Sequence, residues 1–239
     1  MAPVSNTGLI APLASPVPPV PRLEPGDRLT SAEFMRRYEA MPEVKKAELI
    51  EGVVYMPSPV RMDAHGQPHA DLLTWLGTYR SETPGVLAGD NSTLKLDNEN
   101  VPQPDALLMI DRQSGGQAAL DSGGYIQGPP ELGAEVASSS VSIDLNDKFR
   151  VYRRNGVREY IAWRVLDQAI DWFVLRGGHY LPLSAAEDGI TRSEVFPGLW
   201  LDVRAMLAGK LDSVLAVLQQ GIASPEHVEF ANELARRRT

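Results

Sequence analysis

The hydrophobic positions of the chain follow two spacings, every second residue as in strands and every third or fourth residue as in helices. Helical spacing predicts a first helix that starts at Thr30, which has capping-box spacing to Glu33, and stops before Pro42. A second helix is predicted around Pro68, a residue suited to a first helical turn, and a third over residues 143–155. The segments between these helices have a different pattern.

Several of those segments are predicted to be strands. A hairpin is expected to turn at Glu51 and Gly52, and at least two strands follow residue 158. Three further strands are predicted at Val86 to Leu96, Pro104 to Ile110 and Leu132 to Ala137, and a Gly-rich mobile loop joins the last two. Strands and helices do not alternate regularly, so we expect an α/β or α+β fold with helices flanking a sheet.

The chain is predicted to form one domain with two tails. A flexible Pro-rich leader spans residues 1–28, the main domain spans 29–200 and a helical extension spans 201–239. The extension carries an apolar stripe at helical spacing, formed by Leu207, Leu211, Val214, Leu215 and Leu218. Such a stripe can form the interface of a homodimer or pack into the core, which is its commoner role.

Composition argues against several classes of protein. The 239 residues include no cysteine, so the chain has neither a disulfide nor a thiolate metal site, and its four histidines are too scattered to indicate a zinc site. The N-terminus lacks the pattern of a signal peptide, and no run reaches the roughly 18 apolar residues of a membrane span. We therefore expect a cytoplasmic protein that does not enter membranes.

The charge distribution points in two directions. A net charge of -8 argues against binding nucleic acid through the overall field of the protein. One segment of eleven residues differs, because it holds five of the 23 basic residues, namely Lys148, Arg150, Arg153, Arg154 and Arg158. This segment is interpreted equally well as a local phosphate-binding surface or as a solvated helix face.

Two acids stand in or beside strands that are otherwise apolar. Alternation along a strand places Asp105 on the same face as Leu107. Glu135 shares its face with two small residues, Gly133 and Ala137, which leave room beside the carboxylate. Because an unpaired buried carboxylate is costly, two such acids on neighbouring strands suggest a shared metal ion. The alternative, in which each acid caps a loop or pairs with an arginine, stays open.

The predicted third helix places a lysine on its apolar stripe. Leu145, Phe149 and Tyr152 define the stripe, and Lys148 lies within it. A lysine stem covers apolar surface well, so we expect the ammonium group to point towards the two acids. In the alternative, Lys148 forms an ordinary helical pair with Asp144 in water.

Several blocks of the chain together resemble a known protein family. The blocks are AELIEGVVY, the pair SP followed by His65, VPQPDALLMI, GAEVASSS, and the spacing of Asp144, Lys148 and Tyr152. In order and spacing they resemble the Uma-two family, also called domain of unknown function 820, from Thr30 to Phe173. Its members are bacterial proteins classed with the restriction-endonuclease-like nucleases of the PD-(D/E)XK superfamily. The resemblance implies the fold of that family, a mixed central sheet flanked by helices.

The resemblance also implies a set of site residues. Asp105, which follows a proline, matches the acid of the PD pair, and Glu135 matches the second acid of the motif. Ala137 stands where the usual lysine of the superfamily would be, so Lys148 on the following helix takes that role. Glu48 matches an early glutamate of the family, which either completes the metal site or is an exposed hairpin acid.

The implied activity is hydrolysis of DNA phosphodiester bonds by a metal-dependent endonuclease. Asp105, Glu135 and the main-chain carbonyl of Val136 would hold Mg²⁺, for which Mn²⁺ can substitute, because hard cations prefer oxygen ligands. Lys148 would orient the attacking water or stabilise negative charge in the transition state. His65 is interpreted as a structural residue at a helix start.

Two other functions stay open on the sequence. The same fold can be a catalytically silent DNA-binding or regulatory module, which retained metal-dependent cleavage would rule out. A sugar hydrolase with paired carboxylates needs two acids about 5 to 10 Å apart across a cleft, and it has no use for Lys148. Nucleases that cut both strands of DNA are often dimers, so a homodimer is also compatible with the sequence.

Overall fold

Short strands and helices make up the part of the chain that the computed structural model describes, residues 19–56, 61–138 and 143–238. In chain order the strands are β1 (Glu48–Ile50), β2 (Val53–Tyr55), β3 (Val86–Asp90), β4 (Leu94–Lys95), β5 (Ala106–Ile110), β6 (Ala119–Leu120), β7 (Ile126–Gln127), β8 (Leu132–Ala137), β9 (Glu159–Arg164), β10 (Ala169–Arg176), β11 (His179–Pro182), β12 (Thr191–Arg192) and β13 (Trp200–Leu201). The helices are α1 (Ser31–Glu39), α2 (Gln67–Ser81), α3 (Phe149–Asn155), α4 (Val203–Leu207), α5 (Leu211–Ile222) and α6 (Pro225–Arg237). Wider, π-type helical segments at Met62–Gly66 and Ile143–Lys148 lead directly into α2 and α3.

A mixed sheet of six strands lies at the centre of the fold. From one edge to the other its order is β11-β10-β9-β8-β5-β3. Strands β8 and β9 run parallel, with α3 in their connection, and every other neighbouring pair in this sheet is antiparallel. The predicted fold class, a mixed sheet flanked by helices, is confirmed.

Alternation along the central strands assigns their side chains to two cores. Ala106, Leu108 and Ile110 of β5 pack with α2 and the C-terminal helices, whereas Leu107 and Met109 pack on the other face with α3. Because both faces are covered, β5 and β8 can be apolar at almost every position. A polar residue in either strand is therefore carried into a core.

Local signals in the sequence predicted several elements correctly. Thr30 caps α1, and its Oγ1 accepts a hydrogen bond from the main-chain N–H of Glu33. The hairpin of β1 and β2 turns at Glu51 and Gly52, which have positive φ angles of 50° and 74°. Helix α3 ends at Gly156, whose φ of 85° is easily adopted only by glycine.

The predicted strand from Val86 to Leu96 is two separate strands in the structure. Asn91 has a φ of 46°, which asparagine tolerates better than most residues, and the chain turns away from β3 there. Strand β4 then joins β7 and β6 in a small sheet of its own. The Gly-rich segment predicted to be a mobile loop supplies β6 and β7, so that prediction is wrong for these strands. Their hydrogen-bond partners are remote in sequence, and local composition does not reveal them.

The two predicted tails also contribute packed residues. Residues 1–18 of the leader lie outside the described residues, but Leu23 is buried in a cluster with α1 and the β1–β2 hairpin. At the other end, Val214, Leu218 and Leu234 of α5 and α6 are buried in the main core. The apolar stripe of the extension therefore packs into the core. No helix within the described ranges is both long enough and apolar enough to cross a membrane.

Candidate active site

Asp105 and Glu135 meet across two neighbouring central strands. The pairing of Ala106 with Ala134 places the preceding residue, Asp105, directly opposite Glu135. Both side chains are buried, and the main-chain N–H of Val136 donates a hydrogen bond to Asp105 Oδ2 at 2.8 Å. The two acids that alternation predicts to be buried therefore occupy the same face of adjacent strands.

Lys148 lies at the centre of three carboxylates. Its Nζ is 2.9 Å from Glu48 Oε1, 3.0 Å from Glu135 Oε1 and 3.5 Å from Asp144 Oδ1, and its side chain is 5% exposed. Burial opposes the charged form, but the carboxylates outweigh burial and raise the pKa of Lys148. The ammonium points inward as predicted, and its pair with Asp144 also exists but is buried rather than solvated.

Glu48 reaches this cluster from β1. Its Oε1 accepts a hydrogen bond from the main-chain N–H of Gln103 at 2.7 Å in addition to its contact with Lys148. The residue is buried, so the alternative of an exposed hairpin acid is wrong. The hairpin packs its first strand against the acidic cluster, and this packing is what buries the carboxylate.

The helical connection between β8 and β9 supplies both side chains that bind Glu135, those of Lys148 and Tyr152. The π-type segment Ile143–Lys148 carries both Asp144 and Lys148, and such wide turns often occur at functional sites. In the helix that follows, the hydroxyl of Tyr152 donates a hydrogen bond to Glu135 Oε1 at 2.8 Å. Tyr152 belongs to the apolar stripe predicted from sequence, but the stripe indicated packing and did not indicate this hydrogen bond.

The two facing acids are perturbed in opposite directions. Burial raises the pKa of Glu135 to about 8, an effect that Lys148 opposes and the neighbouring acids reinforce. Burial acts on Asp105 in the same sense, but Lys46, Lys148 and the N–H of Val136 outweigh it and hold the pKa of Asp105 below its usual value. Adjacent acids with opposed pKa shifts are a feature typical of active sites.

A second lysine, which the apolar patterns do not mark, binds Asp105. Lys46 Nζ is 2.8 Å from Asp105 Oδ1 and 2.6 Å from Asn91 Oδ1, and its side chain is 23% exposed. Burial opposes the charge on Lys46, but Asp105 and the neighbouring acids outweigh burial and raise its pKa. The available signal was alternation, because Lys46 lies two residues before Glu48. The neighbouring Lys45 makes the pair resemble ordinary surface charge.

Two histidines at the start of α2 contact the ends of the same strands. His65 Nδ1 donates a hydrogen bond to the carbonyl oxygen of Val136 at 3.0 Å, and His69 Nε2 donates to the carbonyl oxygen of Asp105 at 2.7 Å. The other ring nitrogen of His65 lies 3.7 Å from Asp105 Oδ1. These main-chain contacts agree with the structural role interpreted for His65, and they also place an imidazole beside the carboxylate.

The donor chemistry of the site suits a hard divalent cation. Within the described ranges no three acidic or histidine side chains converge into a ready-made metal cage. However, Mg²⁺ commonly takes only one or two protein carboxylates and keeps several waters. The cluster also carries more acid than base, since two ammonium groups, Lys46 and Lys148, face four carboxylates, those of Glu48, Asp105, Glu135 and Asp144. One divalent cation would balance that difference.

The basic segment that follows Lys148 is engaged by acids and carbonyls of its own surface. Arg150 and Arg154 lie 3.5 Å and 3.0 Å from the carboxylate of Glu51. Arg153 donates a hydrogen bond to the main-chain carbonyl of Gly178. Exposed ion pairs of this kind are weak and are screened by salt, so a polyanion could compete with them.

Comparisons with known proteins agree with this architecture. The family profile named Uma2, described as "Putative restriction endonuclease", matches residues 32–204. A search of curated proteins gave no match. Among solved structures, a similar chain is described as "a putative nuclease belonging to DUF820" from Anabaena variabilis ATCC 29413. It is 12% identical, with a TM-score of 0.54 over 73% of this chain and 97% of that chain, which shows a shared fold. Because the profile covers most of its length, the chain belongs to the Uma-two family.

Proposed function

We propose that the chain is a Mg²⁺-dependent endonuclease that hydrolyses phosphodiester bonds of DNA. The observation that carries the proposal is the pairing of Asp105 with Glu135 across β5 and β8, with Lys148 bound to Glu135. Two neighbouring oxygen-donor acids and a fixed ammonium group provide a place for a hard cation and positive charge near a phosphate. The description of the family as restriction endonucleases supports the same reaction class.

Asp105, Glu135 and the main-chain carbonyl of Val136 are the residues that would hold the ion. When bound, Mg²⁺, or Mn²⁺ in its place, would lower the pKa of a coordinated water and neutralise charge on the phosphate. The carbonyl oxygen of Val136 has a second lone pair beside the one that accepts from His65, so it can still act as a ligand.

The remaining residues of the cluster would position these acids. Hydrolysis forms a bond from a water oxygen to phosphorus and breaks the bond to the leaving sugar oxygen, which takes up a proton. Lys148 favours the ionised forms of Glu135 and Glu48, and the hydroxyl of Tyr152 fixes Glu135 Oε1. Acids held in this way need little rearrangement during the reaction, which is the usual source of electrostatic catalysis.

The DNA contact is expected to be electrostatic and weak. The net charge of -8 gives no general attraction for a polyanion, so binding would depend on local cations such as Arg150, Arg153, Arg154 and Arg158. Several of these must exchange an intramolecular partner for a phosphate. Affinity should therefore fall steeply between about 50 and 200 mM salt.

Single-turnover cleavage of labelled single-stranded and duplex DNA tests the proposal. Wild type should cut with Mg²⁺ or Mn²⁺ and not with EDTA, and Asp105→Asn should not cut. Asp111→Asn is a matched control because Asp111 follows the same strand, β5, at its opposite end. Cleavage that persists in EDTA or in Asp105→Asn would contradict the proposal.

The second candidate is a silent DNA-binding or regulatory module on the same fold. It is favoured by one observation, that lysines already occupy oxygens of both Asp105 and Glu135. Wild-type protein that binds DNA with a steep salt dependence, yet cuts no DNA with either metal, would support this candidate over the endonuclease.

A further inference from the structure

The two lysines of the site have different surroundings. Lys148 Nζ donates a hydrogen bond to Glu135 Oε1 and forms ion pairs with Glu48 and Asp144, and its side chain is 5% exposed. Lys46 Nζ has two hydrogen-bond partners, Asp105 and Asn91, and its side chain is 23% exposed. Among the described residues one N–H of Lys46 is therefore without a partner, and Lys46 is the more exposed of the two lysines.

We infer that Lys46, and not Lys148, is the lysine that donates a hydrogen bond to the substrate phosphate. This inference rests on the proposed function. Lys148 could reach a phosphate oxygen only by moving away from Glu48 or Glu135, two buried carboxylates for which it is the counter-ion. Lys46 can bind the phosphate while it keeps Asn91 as a partner.

Asn91 is the residue that positions Lys46. Its Oδ1 accepts from Lys46 Nζ at 2.6 Å, and its Nδ2 donates to Asp90 Oδ1 at 2.6 Å. The positive φ of Asn91 ends β3 and turns its side chain out of the sheet pattern towards the lysine. The same break in the strand that the apolar pattern failed to predict therefore has a role at the site.

The sequence alone predicts that Lys148 both faces the buried acids and acts on the reacting phosphate. We assign these two tasks to two different lysines. Lys148 is the permanent counter-ion of the buried acids, while Lys46 can give up Asp105, whose charge the metal ion would then balance, for a phosphate oxygen. That exchange would take place at the more exposed of the two lysines.

The test compares Lys46→Met with Lys45→Met in the full chain. Both variants lose one positive charge at adjacent positions, but Lys45 is exposed and its Nζ bonds only the carbonyl of Pro42 among the described residues. Lys46→Met should lower the single-turnover cleavage rate about 100-fold or more, as loss of a transition-state donor commonly does. It should also reduce the salt slope of DNA binding by about one, measured by fluorescence anisotropy in EDTA. Lys45→Met should match wild type in both assays.

A chemical rescue keeps the test specific to the ammonium group. Because the chain has no cysteine, Lys46→Cys introduces a single thiol, which 2-bromoethylamine alkylates with loss of bromide. The product restores an ammonium at nearly the reach of lysine, and cleavage should recover. Mn²⁺ affinity measured by calorimetry should not fall in Lys46→Met, because Nζ competes with the ion for Asp105 Oδ1.

The outcomes separate this inference from the function on which it rests. Wild-type activity with an equally active Lys46→Met overturns the role of Lys46 and leaves the endonuclease proposal intact. If wild type binds DNA without cutting it, the anisotropy assay alone decides, and an unchanged salt slope overturns the inference. Wild type that neither binds nor cuts DNA overturns both proposals.

Discussion

Replacing Lys148 with methionine should destabilise the protein strongly, because the ammonium group is the shared counter-ion of buried acids. Methionine keeps an unbranched stem, so packing in the apolar stripe should survive and the change is mainly one of charge. Removing one partner of a buried ion pair typically costs about 3 to 5 kcal/mol. Here Glu48, Glu135 and Asp144 all lose that partner, so the upper part of this range is expected near pH 9, where Glu135 is ionised.

The loss of stability in Lys148→Met should depend on pH, and the sign of that dependence follows from the raised pKa of Glu135. Burial and the neighbouring acids raise the pKa of Glu135 to about 8 against the opposing effect of Lys148, so removing Lys148 should raise that pKa further. A carboxyl with a raised pKa in the folded state holds a proton that the unfolded chain releases, so stability falls as the pH rises. The deficit of Lys148→Met relative to wild type should therefore stay nearly constant from about pH 5 to pH 7, where Glu135 is protonated in both proteins, and should grow above about pH 8.

Urea denaturation at pH 7 and pH 9, followed by circular dichroism, measures both effects. Arg150→Met is the matched control, since Arg150 lies two residues after Lys148 and pairs with Asp147, but its side chain is 50% exposed. That variant should lose less than about 1 kcal/mol at either pH. If Lys148→Met costs no more than Arg150→Met, the view of Lys148 as a buried counter-ion is refuted.

Two further predictions concern single carboxyl groups. Asp105→Asn keeps an acceptor for the N–H of Val136 but should abolish the heat of Mn²⁺ binding in calorimetry, and an unchanged affinity would exclude Asp105 as a ligand. Glu159 is buried, which raises its pKa to about 7 although Ser193 and main-chain N–H groups donate to it, whereas the unfolded group titrates near 4.5. The stability of wild type relative to Glu159→Gln should therefore fall by about 3 kcal/mol as the pH rises from 4.5 to 7, and a flat difference across this window would contradict the raised pKa.

Sequence reasoning succeeded where local periodicity decides the structure. Strand alternation correctly predicted the faces of Asp105 and Glu135, and helical spacing correctly predicted that Lys148 points inward. In each case the neighbouring apolar residues determine which way the polar side chain points, and those neighbours are adjacent in the chain. The metal and phosphate roles assigned to these residues remain predictions.

Contacts between remote segments could not be predicted in the same way. Lys46 and Asp105 are 59 residues apart, and their contact depends on how the β1–β2 hairpin packs at the end of the central sheet. The hydroxyl of Tyr152 is equally hidden, because an aromatic residue on an apolar stripe looks like packing alone. The spacing of apolar residues does not show which strand end a hairpin will contact, so these partners are seen only in the folded structure.

The π-type segment before α3 requires a fixed number of residues between Asp144 and Lys148. A π-type turn holds about one residue more than an α-helical turn, and Asp144 and Lys148 both lie in the segment Ile143–Lys148, at i and i+4. Deleting one residue between them would rewind the segment and rotate Asp144 by about 100° relative to Lys148. Substitutions at Asn146 or Asp147 would not cause this rotation, because they leave the number of residues in the segment unchanged. Relatives that share this acidic cluster should therefore vary in residue type across the turn but never in its number of residues.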